Sequence, residues 1–147
     1  MQCEDVMKSD IECVSPQTSI QAAARRMREQ NVGFLPVCDE GMRVVGTVTD
    51  RDITIRGVAD GVPITKTVDL LMTREVVSCF PEDDLDHARE LMARHHKSRI
   101  MCISRNGRLE GVISLSDIAQ LDELSGGDTL RHVSSRESRG YTVAPIS

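Results

Sequence analysis

The sequence predicts a mixed α/β (α+β) fold built from two copies of one β-α-β-β-α unit. Two observations predict it. A shift of 65 residues lays the chain on itself without a gap: Met7 falls on Met72, Pro16 on Pro81, Ala23 on Ala88, Met27 on Met92, Arg43 on Arg108, Gly46 on Gly111, Asp52 on Asp117 and Ile53 on Ile118. Repeats dictate architecture, because each unit must bury an apolar face against a neighbour. Within each copy, short extended apolar runs flank a stretch with helical spacing, so strands and helices alternate. A unit of about 60 residues is marginal alone, so the copies are expected to share an interface.

The first copy opens with a turn over Asp5 to Lys8 and a brief strand, Ile11 to Val14, stopped by Ser15-Pro16. Thr18 is placed to cap a helix, with Gln21 three residues on. Ile20, Ala23, Ala24 and Met27 then stand at i, i+3, i+4 and i+7, the core face of that helix. Asn31-Val32-Gly33 supplies a left-handed stop. Phe34 to Cys38 and Arg43 to Val48 read as a hairpin around Asp39-Glu40-Gly41, and a second helix runs from Thr49 or Asp50 to about Arg56. The second copy repeats the order. Val76 to Phe80 is a strand stopped by Pro81, Asp83 caps a helix with Leu85, Ala88 and Met92 on one face, and Asn106-Gly107 turns a hairpin of Arg99 to Ile103 with Arg108 to Ile113. Ser114 to Leu124 closes the unit. Val58 to Thr67 joins the copies, with Gly61 and Pro63 as breakers. The expected division is residues 1–62, residues 63–124 and a flexible or partner-docking tail over residues 125–147, where Ser, Gly and Arg dominate.

Composition excludes several classes. Net charge is −5, against a dedicated nucleic-acid surface. No segment approaches a membrane span, and Met1-Gln2-Cys3-Glu4-Asp5 has neither a basic patch nor an apolar stretch behind it, so a soluble, cytoplasmic protein is expected. Five cysteines with no C-x-x-C pair read as reduced thiols, small hydrophobes in a core. His87, His95 and His96 do not form a ligand set, and no metal site is expected. No catalytic constellation emerges, so the protein is not expected to be an enzyme.

Both copies end their hairpin in one motif: Gly46-Thr47-Val48-Thr49-Asp50-Arg51-Asp52-Ile53 and Gly111-Val112-Ile113-Ser114-Leu115-Ser116-Asp117-Ile118. A hydroxyl with an acid three residues later is a capping box, which explains the pattern by itself. The same residues also suit a nucleoside phosphate: the helix start and hydroxyl meet phosphate, and an ionised carboxylate accepts from the two hydroxyls of a ribose.

With Val6-Met7, Val14-Ser15-Pro16, Val32-Gly33-Phe34-Leu35-Pro36-Val37, Leu71-Met72-Thr73, Phe80-Pro81 and Lys97-Ser98-Arg99-Ile100, these motifs make residues 5–124 resemble a CBS-domain pair, or Bateman module, of the stand-alone bacterial type. The resemblance implies two repeats packed by pseudo-twofold symmetry through their sheets, with two clefts between them. It implies binding of AMP, ADP, ATP or a related adenosyl ligand as regulatory ligand, with no required cofactor. It further implies a homodimer and an unidentified regulated protein.

Residue by residue, the resemblance implies a first site in which Asp52 holds ribose and Thr49 meets ribose or phosphate. There Ile11, Cys13, Ser15 and Pro16 lie along adenine, and Gly33, Phe34, Leu35 and Pro36 form the opposite wall. Read from the residues themselves, Arg51 and Arg56 flank this site either as phosphate partners or as solvated surface charges. The resemblance implies a second site of Asp117 and Ser114 with Val76, Ser78, Phe80 and Pro81 along adenine and Arg99, Ile100 and Met101 opposite, flanked by Lys97. Phe80 and Met101 depart from the pattern of the first copy, with Phe80 expected to crowd the second cleft or stack on a base. The alternative is an interaction module with empty clefts, acting through dimerisation or its tail.

Overall fold

The computed structural model describes residues 1–124; the expectation for residues 125–147 lies outside the described residues. Its elements are α1 (Ile20–Gln30), β1 (Phe34–Cys38), β2 (Val44–Thr49), α2 (Asp50–Asp52, continued as a π-helical turn over Ile53–Val58), β3 (Ser78–Cys79), α3 (Leu85–Arg94), β4 (Arg99–Ile103), β5 (Leu109–Ser114) and α4 (Leu115–Leu124). β1 pairs antiparallel with β2, and β3, β4 and β5 form the second sheet in that order. Both hairpins carry a bulge at the equivalent place, after Val37 and after Cys102.

The helices begin one residue later than the sequence suggests, and in the same way in both copies. Ser19 and Asp84 are the caps, accepting from the N–H groups of Ala22 and Asp86. Thr18 and Asp83 instead accept from the N–H groups of Ser15 and Phe80, closing the turn before the cap. Of the expected core face, Ile20, Ala23 and Met27 are buried, and Ala24 is exposed.

The expected strand Ile11 to Val14 shrinks to one bridge, Val14 to Val37, and Val76 to Phe80 shrinks to Ser78–Cys79. The reason is a crossing of the chain. Residues 2–8 pair with the second copy: Gln2 bridges Asp84, and Lys8 exchanges two backbone bonds with Val112 (2.9 and 3.0 Å). By Val14 the chain has returned to its own copy. The second copy does the same in reverse: Thr67 bridges Ser19, and Thr73 exchanges two bonds with Thr47 (2.8 and 2.9 Å). Residues 9–13 and 74–77 therefore span between the repeats, where no strand lies beside them to satisfy a ladder.

Each of these contacts maps onto its partner under the 65-residue shift, which is the pseudo-twofold relation seen in hydrogen bonds. The axis passes the hairpins, where Arg43 bridges Arg108, the Val44 N–H donates to Gly107 O, and the Leu109 N–H donates to Met42 O. The cores are exchanged accordingly. Val68, Leu71 and Met72 pack with Val14, Ile20, Met27, Leu35 and Val37, while Cys3 packs with Cys79, Leu85, Met92, Ile100 and Cys102. Full burial of such apolar side chains contributes roughly 1.5–3 kcal/mol each. Gly46 and Gly111 admit the crossing segments: a Cβ on Gly46 would stand 2.7 Å from Thr73 O, and one on Gly111 2.7 Å from Met7 Sδ.

Candidate functional site

The repeated motif forms its capping box in both copies and leaves one carboxylate oxygen outside it. The Thr49 N–H donates to Asp52 Oδ2 (3.0 Å) and the Asp52 N–H to Thr49 Oγ1 (3.1 Å), a complete capping box. The Ser114 N–H donates to Asp117 Oδ2 and the Asp117 N–H to Ser114 Oγ, both at 3.1 Å. The second carboxylate oxygen, Oδ1, is spared by the cap in each copy. At Asp52 it is met by the Thr73 hydroxyl at a long 3.4 Å; at Asp117 it is met by the Lys8 ammonium at 3.2 Å. Asp52 is the one buried charged residue among the described residues.

Each carboxylate stands in a cleft between the repeats. The Asp52 cleft has a volume of about 620 Å³. Thr47, Thr49 and Asp52 come from the first copy; Thr73, Glu75, Val76 and Val77 come from the crossing segment, and Lys97, Arg99 and Met101 from the second copy. Arg51 and Arg56 stand at its rim beside Asp50, and the Arg56 guanidinium lies 3.4 Å from Leu71 O. A further hollow of about 630 Å³ beside α1 shares Gly33, Asp50, Ser98 and Arg99 with this cleft, and Val32, Arg99 and Ser114 with the cleft of Asp117. The Asp117 cleft has a volume of about 190 Å³ and is lined by Lys8, Ile11 and Glu12 of the other crossing segment, by Phe34, Leu35 and Pro36, and by Val112, Ser114 and Asp117. Glu12 accepts hydrogen bonds from Arg26 and Gln30.

The expected grouping of residues is thereby corrected. Of the first set, Gly33, Phe34, Thr49, Arg51 and Asp52 do line one cleft. Ile11, Leu35 and Pro36 line the cleft of Asp117 instead. Of the second set, Ser114 and Asp117 keep their place, Val76 and Met101 belong to the Asp52 cleft, and Arg99 lines both. Lys97 also belongs to the Asp52 cleft. The crossing explains the exchange: each cleft is walled by the segment in transit and by the strand of the opposite copy.

Cys13, Ser15, Pro16, Ser78, Phe80, Pro81 and Ile100 line neither cleft. Past the crossing, Pro16 O and Pro81 O accept from Asp69 and Glu4. Ile100 is core. Phe80 neither crowds a cleft nor faces one: the Arg105 guanidinium covers its ring at 4.3 Å. Lys8, Glu12, Thr73, Glu75 and Val77 were not singled out from sequence. Lys8 and Thr73 do occupy the same repeat position, directly after the shared Met7 and Met72, and that mismatch is the signal that could have found them.

The thiols take no part in either cleft wall. Cys3, Cys79 and Cys102 stand where the first copy has Val68, Val14 and Val37. Their sulfurs stack at 3.7 Å from Cys3 to Cys79 and from Cys79 to Cys102. Burial pushes the Cys3 thiol up to about 12, and the hydrogen bond to Cys102 together with burial pushes Cys79 up further. Thiols so held are poor nucleophiles. Among the described residues no group of three or more His, Cys, Asp or Glu could hold a metal ion, and no helix is long and apolar enough to cross a membrane.

Comparison with known proteins agrees with this geometry. The family profile of the CBS domain matches twice, over residues 3–57 and 67–123. The CBS domain-containing protein YhcV of Bacillus subtilis is 37% identical over 133 residues, 89% of this chain and 94% of that protein. Hypoxic response protein 1 of Mycobacterium tuberculosis is 34% identical over 79% of this chain and 81% of that protein. Its crystal structure, with two coordinated zinc ions, superposes with a TM-score of 0.74 over 82% of this chain and 98% of that one, at 33% identity. The CBS domain pair of protein MJ0100, in complex with 5'-methylthioadenosine and S-adenosyl-L-methionine, superposes with a TM-score of 0.76 at 25% identity, covering 85% of this chain and 98% of that one.

Proposed function

The chain belongs to the CBS-domain family, and from that premise we propose that it is a non-catalytic regulatory module that binds an adenosine nucleotide between its two repeats, seated at Asp52. The observation that carries this reading is the spared Oδ1 of Asp52, a buried carboxylate oxygen facing a cleft of about 620 Å³. That volume falls in the range of about 300–1,000 Å³ usual for small-molecule sites. A carboxylate oxygen is acceptor-only and suits a ribose diol. Val76, Val77 and Met101 supply an apolar wall for a base. Arg51, Arg56, Lys97 and Arg99 supply cations for phosphate. The adenosyl ligands bound to the MJ0100 pair support the same class.

Calorimetric titration with AMP, ADP, ATP, NADH and S-adenosylmethionine tests the reading. Binding of at least one adenosine nucleotide is expected, and no heat with any of them, in a folded protein, overturns it. The double substitution Arg51→Gln and Arg56→Gln is expected to weaken ATP about three- to tenfold and leave adenosine unaffected, since rim charges contribute up to about 1 kcal/mol each. Regulation requires that the ligand bind two conformations unequally.

A homodimer belongs to this reading. Ile55 and Val58 on the π-helical turn are 51% and 69% exposed, apolar area suited to a second copy. The same residues favour the alternative, an interaction module acting through dimerisation with empty clefts. Sedimentation of the wild type and of Ile55→Ser/Val58→Ser, each with and without nucleotide, separates the two. A cytoplasmic setting is part of the proposal, supported by five free thiols.

A further inference from the structure

The two clefts share a backbone but not a chemistry. We infer that Lys8 and Glu12 close the Asp117 cleft to nucleotide, so that each chain takes one adenosine nucleotide, at Asp52 alone. This inference rests on the nucleotide reading above.

Three differences point the same way. First, Lys8 Nζ stands 3.2 Å from Asp117 Oδ1, the oxygen that the capping box spares. A ribose approaching Asp117 must displace an ammonium, whereas at Asp52 it displaces only a hydroxyl contact of 3.4 Å. Second, Glu12 stands at the repeat position of Val77, so one cleft has a carboxylate where the other has an apolar wall. Arg26 and Gln30 hold that carboxylate in place, so this wall is an ion-paired polar surface where the Asp52 cleft has an apolar one. Third, three of the rim cations have no counterpart at their repeat positions: Arg51 and Arg56 correspond to Ser116 and Leu121, and Lys97 to Val32, while Arg99 is shared by both clefts.

An exposed ion pair is worth only about 0–1 kcal/mol, and the Lys8 side chain is 68% exposed. The pair alone is therefore a weak lock. Closure comes from the pair together with Glu12 and the missing rim cations. Lys8 and Glu12 are specificity determinants for which cleft is used.

The test is the stoichiometry of AMP and ATP, titrated in parallel by calorimetry. One equivalent per chain is expected for the wild type, and none for Asp52→Ala. Lys8→Thr with Glu12→Val gives the second cleft the residues of the first and is expected to gain a second equivalent, which Asp52→Ala in that background retains. Lys8→Thr alone changes an exposed side chain, and serves where the double variant fails to fold; a second, weaker equivalent is expected. Two equivalents in the wild type, one retained by Asp52→Ala, or one equivalent still in folded Lys8→Thr and Lys8→Thr/Glu12→Val each overturn the inference. No binding by the wild type overturns the nucleotide reading itself, and this inference with it.

Discussion

Where the Asp52 cleft places Thr73, the Asp117 cleft places Lys8, and that one exchange separates two sites whose main chains are near copies. The bridges, bulges and capping boxes all repeat under the same 65-residue shift. The cleft walls do not: Val77 becomes Glu12, Met101 becomes Pro36, and Arg51 becomes Ser116. Backbone pairing constrains few side chains, chiefly the glycines and the capping residues. Residues whose side chains only face a cleft are free to diverge. Duplication thus preserved a scaffold while giving its two clefts different linings: a hydroxyl contact at Asp52 Oδ1 in one and an ion pair at Asp117 Oδ1 in the other.

The comparison breaks first at the glycines that admit the crossing segments. Gly46→Ala drives a methyl against a backbone carbonyl, Thr73 O at 2.7 Å, and Gly111→Ala drives one against Met7 Cβ, Cγ and Sδ at 2.7–2.8 Å. Urea unfolding is expected to show a loss of about 1–3 kcal/mol for each, typical of overpacking. A loss near zero for either would mean that its crossing segment gives way without strain. A second probe carries the closure into the open cleft. Thr73→Lys sets an ammonium opposite Asp52 Oδ1, and nucleotide affinity is expected to fall about two- to fivefold, up to about 1 kcal/mol. Unchanged affinity in calorimetry would remove the lysine as the element that separates the clefts.

The smallest effect compares the cores. In the second, Cys3, Cys79 and Cys102 replace Val68, Val14 and Val37. The Cys3 thiol is raised by burial from an ordinary value of 9.0 to about 12, and Cys79 is also raised. The unfolded chain releases these protons first, so stability is intact below about pH 9 and declines as pH climbs from 9.0 to about 12. Urea midpoints should be flat from pH 7 to 8.5 and fall above pH 9. The triple change Cys3→Val, Cys79→Val and Cys102→Val should make that fall shallower, leaving the share of Cys38, which burial also raises to about 12. An unchanged slope would locate the alkaline sensitivity elsewhere.

Much of the fold was legible because it is local. The hairpins around Asn106-Gly107 and Asp39, the buried faces of α1 and α3, and the capping boxes at Thr49 and Ser114 all depend on residues within one or two turns. The cap shift from Thr18 to Ser19 is the error that local reading makes when adjacent hydroxyls compete. The candidate site was half legible. Asp52, Thr49, Asp117 and Ser114 stand where the motif implies, because the capping box that places them is local. Their neighbours were assigned to the wrong clefts, since which copy Ile11 or Val76 faces is not encoded near it.

Sequence alone determined that the protein is a doubled unit, the order of its elements and the two carboxylates at matching helix starts, because periodicity and capping act over a few residues. Only the tertiary structure decided that residues 2–8 and 67–73 cross to the opposite repeat and that Lys8 meets Asp117. Backbone donors and acceptors in each crossing segment must find partners, and the partners available to them lie on strands more than a hundred residues away for Lys8 and Val112, and 26 for Thr73 and Thr47. That choice is made by packing across the whole chain, and it is what sets Thr73 beside Asp52 and Lys8 beside Asp117.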